Sequence, residues 1–79
     1  MAYIIYTKDN CPYCINAKHL LVTKSLPYTE IRVGRDITRD ELLELYPQIK
    51  TVPVIIDTTN NAYKFVGGYN ELREHLGID

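Results

Sequence analysis

Tyr3-Ile4-Ile5-Tyr6-Thr7-Lys8-Asp9-Asn10-Cys11-Pro12-Tyr13-Cys14 runs from an apolar, aromatic stretch through a polar turn into two cysteines separated by two positions. Its first five residues have strand composition. Asp9-Asn10-Cys11-Pro12 has the composition of a helix start, where a proline loses nothing by lacking an amide hydrogen. From Pro12 to Leu26, Cys14, Ala17 and Leu21 share one helical face with Leu20 beside them, while Asn16, His19 and Thr23 share another. That is the pattern of an amphipathic helix, interrupted by Pro27. Tyr28 to Val33 then alternates as a second strand before Gly34. Strand, helix and strand in close succession make a βαβ unit, whose strands are expected to be parallel and its crossover right-handed.

Thr38-Arg39-Asp40-Glu41 fits a capping box, so a second helix is expected to run to about Tyr46, with Pro47 helping to end it. Pro53 to Asp57 reads as a third strand, Thr58-Thr59-Asn60-Asn61 as a turn, and Ala62 to Val66 as a fourth strand paired with the third in a hairpin. Gly67-Gly68 breaks that pattern, and a last helix is expected from Asn70 to Leu76. The reading is α/β, a four-stranded mixed sheet with three helices in the order βαβαββα, as one domain over residues 1–79 without repeat, linker or low-complexity segment.

A chain of 79 residues that is 46% hydrophobic builds one domain with one small core. A formal net charge of −1 gives no global attraction to nucleic acid or to anionic lipid, although local basic residues remain able to bind a small anion. No apolar run is long enough to span a bilayer, and the opening Met1 to Thr7 lacks the basic stretch of a secretion signal. A soluble, cytoplasmic protein without a membrane partner is expected. In such a compartment a thiol pair points to catalysis or metal binding before structure.

Cys11 and Cys14 are the only cysteines. A structural cross-link restrains the unfolded chain more as its loop lengthens, and this loop is nearly the shortest possible. A metal half-site, a redox-active dithiol and two neighbouring buried thiols remain. A protein-contained zinc site needs four ligands, and neither His19 nor His75 has the spacing to complete one, so no metal is expected. His19 belongs to a solvated helix face, and His75 near a helix C-terminus is favourable whatever its function. At a helix start the Cys11 sulfur would meet unpaired amides and the positive end of the helix dipole, which lower a cysteine pKa from about 8.5 to about 3.5–7.5. Cys14 lies one turn further in on the core face, so Cys11 is expected to be exposed and acidic and Cys14 sheltered. Their spacing brings the sulfurs within bonding reach, and the asymmetry suits an exchange in which Cys11 attacks and Cys14 resolves.

Cys11-Pro12-Tyr13-Cys14, then Thr51-Val52-Pro53, then Gly67-Gly68-Tyr69-Asn70-Glu71-Leu72, in that order over nearly the whole chain, resemble the glutaredoxin family. The short length and the closing Glu71-Leu72-Arg73-Glu74 look most like its compact bacterial and phage members. The resemblance implies a thioredoxin fold with Pro53 cis and facing the cysteines, so that the Val52 backbone can pair with a bound peptide. It implies glutathione as co-substrate, with no bound cofactor. The same likeness assigns Lys8 to a glutathione carboxylate, Tyr13 to the pocket's flank, and Arg39 to the glycine carboxylate. Thr51, Val52, Pro53, Gly68, Tyr69 and Asn70 complete the implied pocket. Glu71 stands where many members carry aspartate and is placed towards the ligand's ammonium group.

Implied partners are glutathione and disulfide-containing or glutathionylated proteins, with ribonucleotide reductase as one candidate by family analogy that no residue encodes, in the cytoplasm, or the host cytoplasm for a phage protein, with the chain as a monomer. Thioredoxin, and glutaredoxin-like redoxins served by thioredoxin reductase, typically carry tryptophan, and this chain has none. Members that hold an iron-sulfur cluster through glutathione more often have a small residue in place of Pro12.

Overall fold

β1 (Tyr3–Thr7) lies in the interior of the sheet, and the computed structural model of the chain, which describes residues 2–77, assembles the rest around it. Met1, Ile78 and Asp79, part of the expected domain, lie outside the described residues. The other elements are α1 (Pro12–Thr23), β2 (Tyr28–Arg32), α2 (Arg39–Leu45), β3 (Val54–Asp57), a 3-10 turn at Thr59–Asn61, β4 (Lys64–Gly67) and α3 (Tyr69–His75). The strand order is β2-β1-β3-β4. β1 pairs parallel with β2 from Tyr3↔Tyr28 to Thr7↔Arg32 and antiparallel with β3 from Tyr3↔Asp57 to Tyr6↔Val54; β3 and β4 are antiparallel, with a register shift between Ile55 and Ile56. This is the mixed four-stranded sheet with three helices expected from the sequence.

The period of two along the central strands divides the core between the two faces of the sheet. Tyr3, Ile5 and Ile55 meet Ala17 and Leu21 of α1 and Leu72 of α3. On the other face Tyr6, Val54 and Ile56 meet Leu42 of α2. Because both faces are covered, β1 and β3 read as continuous apolar runs rather than alternating ones. Among the described residues no helix is long and apolar enough to cross a membrane.

The second helix starts as expected. The Glu41 amide donates to Thr38 Oγ1 at 3.1 Å and the Thr38 amide to Glu41 Oε1 at 2.9 Å, completing the capping box and holding the Glu41 carboxyl below its ordinary range. α1, however, ends at Thr23 rather than at Leu26. Ser25 adopts φ of +57°, the Leu26 amide reaches the Leu21 carbonyl at 2.9 Å, and the Ser25 amide reaches Val22 at 2.9 Å. That is a Schellman termination, closed by local hydrogen bonds before Pro27. β2 ends one residue short of Val33, which makes an isolated parallel bridge to Ile37. β4 begins at Lys64 instead of Ala62, because Asn60 and Asn61 both take positive φ and lengthen the turn. α3 begins at Tyr69, one residue earlier than expected, because Gly68 serves as its cap.

Candidate active site

Cys11 is the N-cap of α1 and Pro12 its first residue. Extended backbone at Cys11 (φ −119°, ψ 98°) turns its side chain back over the helix start, where Sγ accepts from the Cys14 amide at 3.2 Å. A sulfur thus occupies the place a serine or aspartate oxygen usually takes, and an amide aimed at it favours the charged form. Cys11 and Cys14 are joined as a disulfide, with their Cα atoms 5.2 Å apart, inside the usual range for such a bond.

Exposure departs from the expectation. Cys14 is 2% exposed as foreseen, but Cys11 is only 7% exposed, because its sulfur is tucked against the first turn of α1 rather than projecting from it.

Beside the pair opens a groove of about 470 Å³ whose walls come from three places in the sequence. Tyr13 supplies one side, the segment from Gln48 to Val54 the second, and Phe65 to Glu71 the third. The Val52–Pro53 peptide is cis. Pro53 is buried and Val52 half-buried, while Thr51 is exposed on the rim. Across the groove the rings of Tyr13 and Tyr69 lie 6.1 Å apart, tilted by 37°, and the Arg73 guanidinium sits 6.0 Å from the Tyr69 ring centre. A cation near an aromatic face gains modestly from the ring quadrupole.

Gly67 and Gly68 meet different requirements. Gly67 has φ of +122°, and a Cβ there would lie 2.9 Å from Cβ and Cγ of Glu71. The position therefore excludes a side chain twice, by dihedral angle and by space. The Gly68 amide donates to Glu71 Oε1 at 2.9 Å, so Glu71 lines the groove with one carboxylate oxygen already engaged as a helix cap. The other oxygen has no such bond to Gly68.

The structure thus gathers Tyr13, Thr51, Val52, Pro53, Gly68, Tyr69, Asn70 and Glu71 around one groove; Cys11 and Cys14 are not part of its wall, which reaches them through Tyr13, a residue between them in the sequence. Lys8 and Arg39 are exposed and are not part of its wall. Arg39 is displaced because α2 begins beside the end of β2, through the Val33–Ile37 bridge, whereas the groove receives the segment after the far end of α2. Sequence reasoning missed Gln48, Ile49, Lys50, Val54, Phe65 and Val66, which do line it. Adjacency to Thr51-Val52-Pro53 was the one signal that pointed to Lys50.

A polar network braces the loop before Cys11. Glu30 Oε2 accepts from the Thr7 hydroxyl at 2.6 Å, Lys18 Nζ at 3.1 Å and an Arg32 guanidinium nitrogen at 3.4 Å, and Arg32 also reaches Asp9 at 2.6 Å. The Thr7 hydrogen bond foremost, with Lys18 and Arg32, outweighs burial and holds the Glu30 carboxyl below its usual range. Both anchors of the Lys8–Asn10 loop, at Thr7 and at Asp9, therefore come from β2. At the other end of the sheet, burial pushes the Asp57 carboxyl up, but hydrogen bonds from Thr59 and then from His75 prevail and lower it. His75 Nε2 lies 2.8 Å from Asp57 Oδ2, so this histidine ties α3 to β3. Among the described residues no three His, Cys, Asp or Glu side chains converge as a metal site.

Comparison with known proteins agrees with this geometry. A profile of the Glutaredoxin family matches residues 3–59. Glutaredoxin 3 of Escherichia coli strain K12 is 32% identical over 69 residues, covering 86% of this chain and 77% of that protein. The structure of reduced Escherichia coli glutaredoxin superposes with a TM-score of 0.75 at 25% identity, covering 98% of this chain and 94% of the other. A buckwheat glutaredoxin–glutathione complex superposes with a TM-score of 0.70 at 23% identity, over 95% of this chain and 69% of that one, a likeness of fold.

Proposed function

The chain belongs to the glutaredoxin family, whose chemistry is thiol–disulfide exchange, and from that premise we propose that it is a glutathione-dependent oxidoreductase acting on glutathione mixed disulfides and protein disulfides. The observation that carries the proposal is the placement of Cys11 at a helix N-cap, with an amide on its sulfur, next to a groove closed by Thr51-Val52-Pro53 and Gly67-Gly68. Glutathione is a short, extended tripeptide with two carboxylates and one ammonium group. Lys50 on the groove wall offers a cation to one carboxylate, and the second oxygen of Glu71 offers an acceptor to the ammonium. Lys8, outside the wall, adds positive charge near the loop. The buckwheat relative that binds glutathione shares this fold and supports the same ligand here.

The chemistry follows from the two sulfurs. Cys11 thiolate attacks the glutathione sulfur of a mixed disulfide; that S–S bond breaks, and the other thiol leaves with a proton. A second glutathione thiolate then attacks the Cys11–glutathione bond and departs as oxidised glutathione. With a protein disulfide, Cys14 attacks the Cys11 mixed disulfide, the substrate leaves as a dithiol, and the Cys11–Cys14 disulfide remains. Two glutathione thiols return its two electrons. A reducing, cytoplasmic setting, a monomeric chain and ribonucleotide reductase as one acceptor belong to the same reading, the last by family analogy.

The test compares electron sources for turnover of the mixed disulfide of glutathione and 2-mercaptoethanol. Glutathione with glutathione reductase is expected to sustain NADPH oxidation, and thioredoxin reductase without glutathione is not. The reverse result overturns glutathione dependence in favour of a thioredoxin-reductase-served redoxin.

A further inference from the structure

The loop of Lys8, Asp9 and Asn10, between β1 and Cys11, is held from outside itself. Thr7 ends β1 and pairs in register with Arg32 of β2, and Glu30, two residues before Arg32, projects to the same face of the sheet, where it meets Lys18 of α1. The Thr7 hydroxyl donates to Glu30 Oε2 at 2.6 Å and its carbonyl accepts the Val33 amide at 2.8 Å, so the loop leaves the sheet from a fixed point. Its middle is caught by the Arg32 guanidinium, which donates to Asp9 Oδ1 at 2.6 Å with one nitrogen and to Glu30 Oε2 at 3.4 Å with another. Arg32 is itself fixed: its amide donates to Asp36 Oδ2 at 2.9 Å and its carbonyl accepts the Asp36 amide at 2.8 Å. Asn10 then takes φ of +56°, a left-handed turn that asparagine tolerates, and delivers Cys11 to the cap of α1.

An exposed ion pair adds little to stability by itself. Here Glu30 already orders the guanidinium, so the bond to Asp9 serves to fix the position of a short loop. We propose that Arg32 is a positioning residue for the exchange reaction: by tying Asp9 to the Glu30–Thr7 pair it keeps the Lys8–Asn10 loop in the conformation that seats Cys11 at the N-cap of α1. The inference rests on the assignment of Cys11 as the attacking sulfur. In the oxidised chain the bond to Cys14 also tethers Cys11. Reduction removes that tether, and the loop is then what keeps the sulfur within reach of the Cys14 amide. A loop free to shift lets the sulfur leave the amide and the positive end of the helix dipole, and the thiolate loses what favours it over the thiol. The elements around Cys11 bring charge from Lys8 and Asp9 in the loop, Lys18 on α1, Glu30 and Arg32 on β2, and Glu71 on α3. Asp9 separates charge from position: loss of its carboxylate by itself favours a nearby thiolate, whereas loss of its hold on the loop disfavours it.

The experiment measures alkylation by iodoacetamide against pH in the full chain carrying Cys14→Ser, where Cys11 is the sole cysteine. Arg32→Ala and Asp9→Ala, each added to that protein, are expected to raise the midpoint of the profile, so that alkylation at about pH 6 is about fivefold slower while the plateau at alkaline pH is unchanged. Arg32→Lys, which keeps a cation within reach of Asp9, is expected to recover most of the rate. Arg35→Ala removes a neighbouring positive charge that is paired with Asp36 rather than with the loop, and is expected to change nothing. The Asp9 side chain is 76% exposed, so its replacement tests the proposal even where Arg32→Ala fails to fold. Faster or unaltered alkylation at about pH 6 in the Asp9→Ala protein, an Arg32→Lys protein as slow as Arg32→Ala, an equal loss from Arg35→Ala, or a lowered plateau with the midpoint unmoved would each overturn the proposal. Glutathione takes no part in alkylation, so absence of mixed-disulfide turnover by the parent protein would instead count against glutathione dependence, and the midpoints would still decide the role of Arg32.

Discussion

At the scale of single residues, the chemistry depends on a sulfur that caps a helix. Cys11 accepts the Cys14 amide in a position where most proteins place an oxygen, so the donor that stabilises the helix also stabilises a thiolate. Its position was readable from Asn10-Cys11-Pro12, a local signal. Its near-complete burial was not, since exposure depends on how the first turn folds over the sulfur. Lys50 makes a similar point: it reaches the groove through the irregular segment between α2 and β3, whose path no periodicity describes, whereas Arg39 sits in a regular helix facing elsewhere. Lys50→Ala is therefore expected to raise KM for the glutathione mixed disulfide about two- to fivefold with kcat little changed, while Arg39→Ala leaves both near the parent values. Steady-state kinetics of the two variants side by side checks this. Gly67→Ala meets both a positive φ and the Glu71 side chain, and a loss of about 1–3 kcal/mol in chemical denaturation is expected.

At the scale of elements, helix ends show which signals are local. The Thr38–Glu41 capping box is complete within four consecutive residues, and sequence alone located it. The end of α1 was misjudged because Ser25 gives no sign of a left-handed conformation; only the closing hydrogen bonds to Leu21 and Val22 impose it. Ser25→Gly is accordingly expected to stabilise the protein by about 1 kcal/mol, read as a raised denaturation midpoint, since glycine takes positive φ without steric cost. The Glu30 network is a property of three elements at once, joining β1, α1 and β2 beneath the active-site loop. With its folded pKa depressed, the Glu30 carboxylate stabilises the fold above its unfolded value of about 4.3, and that contribution disappears as pH falls through the folded value. Glu30→Gln is expected to cost about 1–3 kcal/mol near neutral pH and progressively less below pH of about 4, as urea denaturation across that range will show.

At the scale of the whole molecule, a small domain holds its site by covering both faces of one sheet. α1 and α3 share the Ile5–Ile55 face, and that shared packing places Tyr13 of one helix opposite Tyr69 of the other across the groove. Strand types and their sequential order were legible because the apolar runs of β1 and β3 are bounded by turn residues. The placement of β1 between β2 and β3, which brings the Cys11 loop beside Thr51-Val52-Pro53, was implied only by family resemblance.

In the proposed mechanism Cys11 alone performs the attack on a glutathione mixed disulfide, and Cys14 serves only to resolve protein disulfides. Turnover of the glutathione–2-mercaptoethanol mixed disulfide by Cys11→Ser and Cys14→Ser proteins, with glutathione and glutathione reductase, tests it most directly. The Cys14→Ser protein is expected to keep substantial activity and the Cys11→Ser protein to have none; substantial turnover by Cys11→Ser would mean that Cys11 is not the attacking sulfur.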